Sequence, residues 1–430
     1  MDHINTLKKR VLLMGINFAP ELTGIGKYTG EMADWLVENG YECTVVTSFP
    51  YYPNWKIQAP YSGKFYKKEV QKNGKLRVYR CPLYVPSVPS GAKRVLQETT
   101  FILSSFLMIF YLLFKKGHQQ IFCMAPPFHL GFLALFYRFF KGGKIIYHIH
   151  DLQIEAARDL KVLKAERAFN LLFALERYIL NRVNFVSTVS PGMLKRITKK
   201  VKKEILFFPN WSDLESFYPL PEKAGLKKQW GFQPDDKVVL YSGSIGEKQG
   251  LESLLSIAKK LETQAFIKFV ICGNGPYKEK LSRIADEMQL KNISFMPLQP
   301  LSLFNSFLNM ADVHLVIQRK EACDLMLPSK LISIFSIGGL ALVTAEPGSS
   351  LYTTMNENEM GVVIECENEI LLQNTILDCC ISDHTQANLN GRIYAERFLD
   401  RENILQRIMQ QIREPKASPV PVIDYQFENA

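Results

Sequence analysis

The stretch Val238–Leu261, VVLYSGSIGEKQGLESLLSIAKKL, sets the reading of the whole chain. Val238–Tyr241 is a short apolar, β-prone run. Ser242–Gly250 is a loop holding three glycines. From Leu251 onward, apolar residues at 251, 254, 255, 257, 258 and 261 fall on one helical face. Strand, glycine loop and helix together aim backbone N–H groups and a helix N-terminus at an anion. Phe269–Ile284, FVICGNGPYKEKLSRI, repeats the pattern around a GNGP turn. Two such turns in succession point to a phosphate-bearing ligand, and we read the pair as the cradle of a sugar nucleotide.

A chain of 430 residues predicts two domains of roughly 200 residues each. Hydrophobic content of 47% with 22% charged residues allows a large core. Charge is distributed unevenly. Residues 1–212 carry 31 Lys+Arg against 14 Asp+Glu, a net of +17, and the remainder carries 21 against 28, a net of −7. Such an asymmetry predicts an anionic partner for the first half, either nucleic acid or an acidic membrane leaflet. The basic residues form short clusters (Lys8–Arg10, Lys67–Lys68, Lys115–Lys116, Lys195–Lys203) without a surrounding nucleic-acid module, so nucleic acid is not expected. Eight cysteines, at 43, 81, 123, 272, 323, 366, 379 and 380, show no metal-ligand spacing and read as reduced core residues. The apolar run Val11–Ile16 is too short for a signal peptide, which makes a cytoplasmic location the expectation.

Arg10–Ile16 reads as a first strand, Asn17–Gly26 as a turn-rich loop, Lys27–Asn39 as a helix and Glu42–Thr47 as the next strand. This βαβ unit predicts a parallel, doubly wound α/β sheet. Phe49–Trp55, FPYYPNW, is too rich in proline for a regular element and is placed over the C-terminal edge of that sheet. Phe101–Phe114, FILSSFLMIFYLLF, has fourteen uncharged residues between Lys93–Arg94 and Lys115–Lys116. A spanning helix needs about twenty apolar residues, so a transmembrane reading fails on length. A buried helix and a helix lying in the membrane interface with lysines at the headgroups both remain open. Gly131–Lys144, also aromatic and basic, is a candidate to join the latter. In Lys144–His150, KIIYHIH, strand alternation puts His148 and His150 on one face. Ala156–Leu180 reads as one or two helices and Phe185–Val189 as a strand. The first domain is assigned to 1–212 and the second to 213–387, with strands at Ile293–Met296, Val313–Ile317 and Leu340–Thr344. Asn388–Arg413 is expected as one long closing helix crossing back to the first domain, and 414–430 as a disordered tail.

Seven segments, in this order, resemble the retaining glycosyltransferases of family 4. They are LLMGINFAPELTGIGKYTGEMADWL, HIHD, STVSPGML, FFPNWSDLESFYP, LYSGSIGEKQGLESLL, ICGNGPYKEKL and LPSKLISIFSIGG. The resemblance implies two Rossmann-like domains facing a cleft, the GT-B arrangement, with an acceptor-side first domain and a nucleotide-sugar-binding second domain. The segments PELTGIGKYTGEM, RCPLYVP, FFPNWS and YSGSIGEKQGLE are similar to transferases of exopolysaccharide assembly. That likeness implies a GDP-fucose or UDP-sugar donor and a polyprenyl-diphosphate-linked glycan acceptor at the cytoplasmic face of the inner membrane.

Such an enzyme must neutralise a leaving diphosphate with cations and backbone N–H donors, and the sequence has no DxD motif, so no metal is expected. Glu365, Glu367 and Glu369 alternate but read as a solvated strand edge. The candidate donor-binding residues are Gly24 in the first glycine loop and Gly243, Ser244 and Gly246 in the second. Gly273, Asn274 and Gly275 in the GNGP turn join them, since small residues permit close approach. The family pattern has Arg and Lys where this chain has Ser244 and Gln249, with Lys248 one position early. The positive charge is therefore assigned to Lys248 and Lys330, with Arg319 in reserve. The family's paired glutamates fall in QRKEACDLMLPSKLISIFSIGG, which leaves Asp324 or Glu321 for the sugar side and Ser333 for the ribose. Ser329, at the start of the next helix, adds its N-terminus. By resemblance His150 reaches the donor sugar, so the catalytic candidates are His150, Asp324 and Lys248. No nucleophile emerges, and front-face substitution with the leaving phosphate as base is implied by resemblance alone. A catalytically silent scaffold of the same fold and a nucleotide-sugar epimerase are the alternative readings.

Overall fold

The structure is a computed structural model that describes residues 9–21, 24–159, 166–320 and 328–414. Its chain divides into two compact units, residues 1–208 and 209–430.

The first unit is built on an eight-stranded sheet. Its strands are β1 (Arg10–Met14), β2 (Glu42–Ser48), β3 (Lys67–Gln71), β4 (Leu76–Cys81), β5 (Gln120–Ala125), β6 (Lys144–Ile149), β7 (Phe185–Thr188) and β8 (Ile205–Phe207). Their spatial order is β3-β4-β2-β1-β5-β6-β7-β8. Only β3, an edge strand, runs antiparallel to its neighbour. Every other pair is parallel, so the strand ends Met14, Ser48, Ala125 and Ile149 share one edge. The order of successive strands reverses across the sheet at β1, where β2 lies on one side and β5 on the other. That reversal opens the crevice where doubly wound sheets bind ligands. β5, QIFCMA, escaped the sequence reading. All six of its residues are buried, and a continuous apolar run carries no period that separates strand from helix.

The second unit has six parallel strands: β9 (Lys237–Ser242), β10 (Ile267–Cys272), β11 (Ile293–Met296), β12 (Val313–Val316), β13 (Ala341–Thr344) and β14 (Val362–Ile364). Their order, β11-β10-β9-β12-β13-β14, puts the switch between β9 and β12. The fully buried Val239, Tyr241, Ile245, Leu251 and Leu255 lie in one core cluster, so the opening stretch is the middle of this unit.

Three expectations change. The helix expected over Phe101–Phe114 runs from Gly91 to Leu112, 22 residues, and is long and apolar enough to cross a membrane by length and composition. The length argument fails because the ten residues before Phe101, nearly three turns, are helical too. One face of it, with Gln97, Phe101, Ser105, Ile109 and Leu112, is buried. It packs on β2, β4 and the helix Leu130–Lys141. The opposite face is apolar and open, with Leu103 at 65%, Leu107 at 59% and Phe110 at 48% exposure. The closing segment is two helices, Thr385–Phe398 and Arg401–Arg413, because the Asp400 carboxylate accepts from Asn403 N and caps a new start. Finally, β14 ends at Ile364. Glu369 opens a helix, where it accepts from Ser256 and Lys260, so the three glutamates do not share a strand edge.

Candidate functional site

In the second unit the two glycine turns are one structure. Gly243 N donates to Cys272 O at 2.9 Å, and Ile245 N donates to Asn274 O at 3.0 Å. A Cβ at Gly273 would lie 1.9 Å from Gly243 O, and one at Gly275 would lie 2.0 Å from Ile245 O. Glycine at 273 and 275 is therefore demanded by the neighbouring loop. Gly243 itself, at φ +153°, adopts a conformation that L side chains rarely take. The two turns clamp the loop at the C-terminal end of β9, which is the switch strand.

Lys330 converges on this loop from the helix Ser329–Ser336. Its Nζ lies 3.8 Å from the centroid of the Tyr241 ring and 3.0 Å from where a Gly243 Cβ would stand. Burial pulls its pKa down to about 7. A cation held at the end of β9, beside backbone that only glycine allows, is suited to an anionic group. Tyr241 organises the pair. Its ring carries the ammonium, and its hydroxyl donates to Ser244 O at 2.6 Å, fixing the exposed turn. As a residue of an apolar strand, Tyr241 gave the sequence reading no signal beyond core.

The remaining candidates divide. Gln249, where the family pattern has lysine, closes the loop internally: Gly246 N donates to its Oε1 at 3.0 Å. Lys248 belongs to the turn Glu247–Gln249, but its side chain lies outside the described part. Arg319 lies against Gly250 and is paired with Glu252 at 3.7 Å. Ser329 is exposed at the start of its helix, and Ser333 is half-buried one turn later. Glu321 and Asp324 lie outside the described residues.

In the first unit, His150 follows β6 and its N–H donates to Ala125 O at 2.9 Å, so its backbone extends the sheet. The His148 and His150 rings lie 4.2 Å apart, on one face as the alternation requires. His148 is anchored to Ser187 Oγ at 3.0 Å. Burial holds His150 near pKa 3, so its imidazole is neutral at physiological pH and exchanges hydrogen bonds without charge.

Gly24, at φ +62°, starts the helix Gly24–Glu38 on the same sheet edge, 3.7 Å (from an ideal Cβ) from the Tyr52 ring. The aromatic loop after β2 is tied down by Glu21, which is 2% exposed and accepts from Tyr51 N and Tyr52 N, both at 2.9 Å. Desolvation raises the Glu21 pKa against these bonds. Beside this loop the Arg94 guanidinium lies 5.1 Å from the centre of the Trp55 ring. Glu98, one helical turn on, accepts from Gln153 Nε2 at 2.5 Å, and burial raises it to about 7. Glu21 and Glu98 were missed because single carboxylates in loop and helix carry no spacing signal. Among the described residues no group of three or more His, Cys, Asp or Glu is placed to hold a metal ion.

The comparisons agree with this fold. Residues 23–211 match the glycosyl transferase 4-like domain, and residues 222–394 match the glycosyl transferases group 1 model. The chain is 38% identical over 417 residues, 94% of its length and 100% of the relative's, to WcaI of Escherichia coli (strain K12), described as a colanic acid biosynthesis glycosyl transferase. Among solved structures it is similar to sucrose-phosphate synthase of Thermosynechococcus elongatus. That match has a TM-score of 0.72 and 16% identity, over 94% of this chain and 98% of that one. Anabaena HepE, solved with UDP and glucose, matches with a TM-score of 0.64 and 12% identity, over 94% and 99%. Two doubly wound sheets and matches to both halves establish that the chain belongs to the family 4 glycosyltransferases of the GT-B fold.

Proposed function

We propose that this glycosyltransferase moves a sugar, with retention, from GDP-fucose or a UDP-sugar to a polyprenyl-diphosphate-linked glycan in exopolysaccharide assembly of the colanic acid type. The observation that carries the reading is the Lys330 ammonium seated on Tyr241 against Gly243 at the end of β9. The diphosphate takes its charge from Lys330, from the N–H groups of the loop Gly243–Gly246 and from the helix starting at Ser329. Lys248 adds a second cation, with Arg319 held in reserve by its ion pair. Ser333 bonds the ribose, Asp324 or Glu321 the donor sugar, and Gly273, Asn274 and Gly275 keep the loop in shape. His150, neutral, bonds a donor-sugar hydroxyl. The leaving phosphate takes the acceptor proton, so no protein nucleophile is required, and no metal takes part.

The apolar face of the helix Gly91–Leu112, flanked by Lys93, Arg94, Lys115 and Lys116, supports peripheral docking on the cytoplasmic leaflet. Acceptor and membrane then share the first domain, 1–212, and the donor takes the second, 213–387.

Thermal-shift titration with a panel of GDP- and UDP-sugars, followed by transfer to a lipid-linked acceptor, tests the reading. One nucleotide series raises Tm, transfer persists in EDTA, and the product keeps the donor's anomeric configuration. A panel in which no nucleotide sugar raises Tm or is transferred overturns it.

A further inference from the structure

On the edge of the first sheet opposite His150, where β1 and β6 begin, lies an open cleft of about 700 Å3 lined by Arg10, His118, Phe140, Lys141, Gly143 and Lys144. His118 is scaffold: Nδ1 pairs with Tyr137 OH at 2.6 Å and Nε2 with Thr44 Oγ1 at 3.0 Å. Burial first, then the positive fields of Arg10, Arg77 and Lys141, hold it neutral at a pKa of about 4. Glu42 is the carboxylate that opposes those fields at His118, and it lies 3.9 Å from Arg77. Arg10 uses its backbone N–H on Gln119 Oε1 at 2.7 Å, while its Nε is buried without a hydrogen-bond partner. Gly143, at φ +100°, is required by close backbone packing in the cleft wall, because a Cβ there would stand 2.5 Å from His118 O.

An aromatic row joins this cleft to the apolar face of the helix Gly91–Leu112. Phe106 lies 5.3 Å from Phe136, Phe136 lies 5.2 Å from Phe140, and Phe140 lies 5.0 Å from Phe139. Phe139 and Phe140 are 82% and 57% exposed. The cationic cleft is thus the end of an exposed apolar strip.

We propose that this cleft seats the phosphate of an anionic membrane phospholipid, with the acyl chains running along the Phe140–Phe136–Phe106 row. The inference rests on the membrane-docking reading and adds a headgroup site to it. The Arg10 guanidinium and the two lysines that line the cleft supply charge for a phosphate, and the phenylalanines take the apolar side. Diffuse attraction to a polybasic surface needs none of this arrangement.

Full-length protein sedimented with phosphatidylcholine vesicles, with and without phosphatidylglycerol, tests the site. In about 1 M salt, screening over about 3 Å suppresses diffuse attraction. Under those conditions K141A/K144A lowers partitioning onto anionic vesicles about tenfold, and the charge-matched K93A/R94A lowers it about twofold or less. R10K, which keeps the charge but loses the fork, costs about threefold. Equal losses in the two double variants, with R10K unchanged, overturn the site and leave the docking reading standing. Wild-type protein that partitions onto no vesicle overturns both. Titration with inorganic phosphate separates the other source: saturable binding that needs Lys141 and Lys144, without any preference for anionic vesicles, overturns the lipid assignment.

Discussion

At Lys330 a cation and a glycine loop meet on one strand end, and their coupling has consequences that depend on pH. With its pKa drawn down to about 7, the lysine is neutral above that pH until a diphosphate restores the proton. Donor KM therefore rises as pH climbs above 7, and a steady-state pH series shows it. K330M lowers kcat/KM by about a hundredfold or more, the scale of losing one electrostatic contact to a developing oxyanion. The stability sign is the reverse. Below pH 7 lysine is charged in both states and the folded state bears the desolvation cost. As pH rises from 7 towards the unfolded value the unfolded chain holds more protons, so wild-type Tm gains on that of K330M. His150 behaves differently, since its pKa near 3 keeps it neutral across the working range. H150A cuts kcat about tenfold or more while leaving the shape of the pH profile between 5 and 8 unchanged. Wild-type activity in H150A would return this histidine to a purely structural role.

At the scale of elements, the paired turns and the helix Gly91–Leu112 carry separate burdens. Gly275 sits under the carbonyl of Ile245, so G275A must push two strand-end loops apart. Overpacking of this kind costs about 1–3 kcal/mol, read as a lower denaturation midpoint, and it weakens donor binding because the loop is displaced. G225A is the control, since a Cβ there meets only the Glu222 carboxylate oxygen at 3.7 Å, an ordinary contact. The helix Gly91–Leu112 is held by its buried face and leaves its other face to the surroundings. Making Lys93, Arg94, Lys115 and Lys116 acidic should reduce membrane recovery steeply, at about 1 kcal/mol for each basic residue lost near an anionic surface. Unchanged fractionation of that variant would remove the membrane from the reading.

For the molecule as a whole, buried neutral histidines set the acid limit. His118 and His129 are held near 4, and His150 and His314 near 3, in each case first by burial. Between the unfolded histidine value and these, the unfolded chain binds more protons, so stability falls as pH drops from about 6.5 towards 4. Glu98, raised to about 7, and Glu21 and Glu176, also raised by burial, work in the opposite sense, against five histidines once His148, lowered well into the acid range by burial, is included. Tm should fall across this window, and H118Q should flatten the fall; a flat wild-type profile would contradict the buried-histidine account. The glycine turns, the alternation that pairs His148 with His150, and the βαβ opening were all legible in the sequence, because local geometry dictates periodicity and turn chemistry. These determined two doubly wound sheets and the strand end proposed for the anion. Only the tertiary structure decided that Gly273 and Gly275 are small to fit the neighbouring loop and that Tyr241 seats Lys330. It also decided that the helix Gly91–Leu112 buries one apolar face and leaves the other open. Those are contacts between residues far apart in the chain, and spacing along a sequence has no term for them.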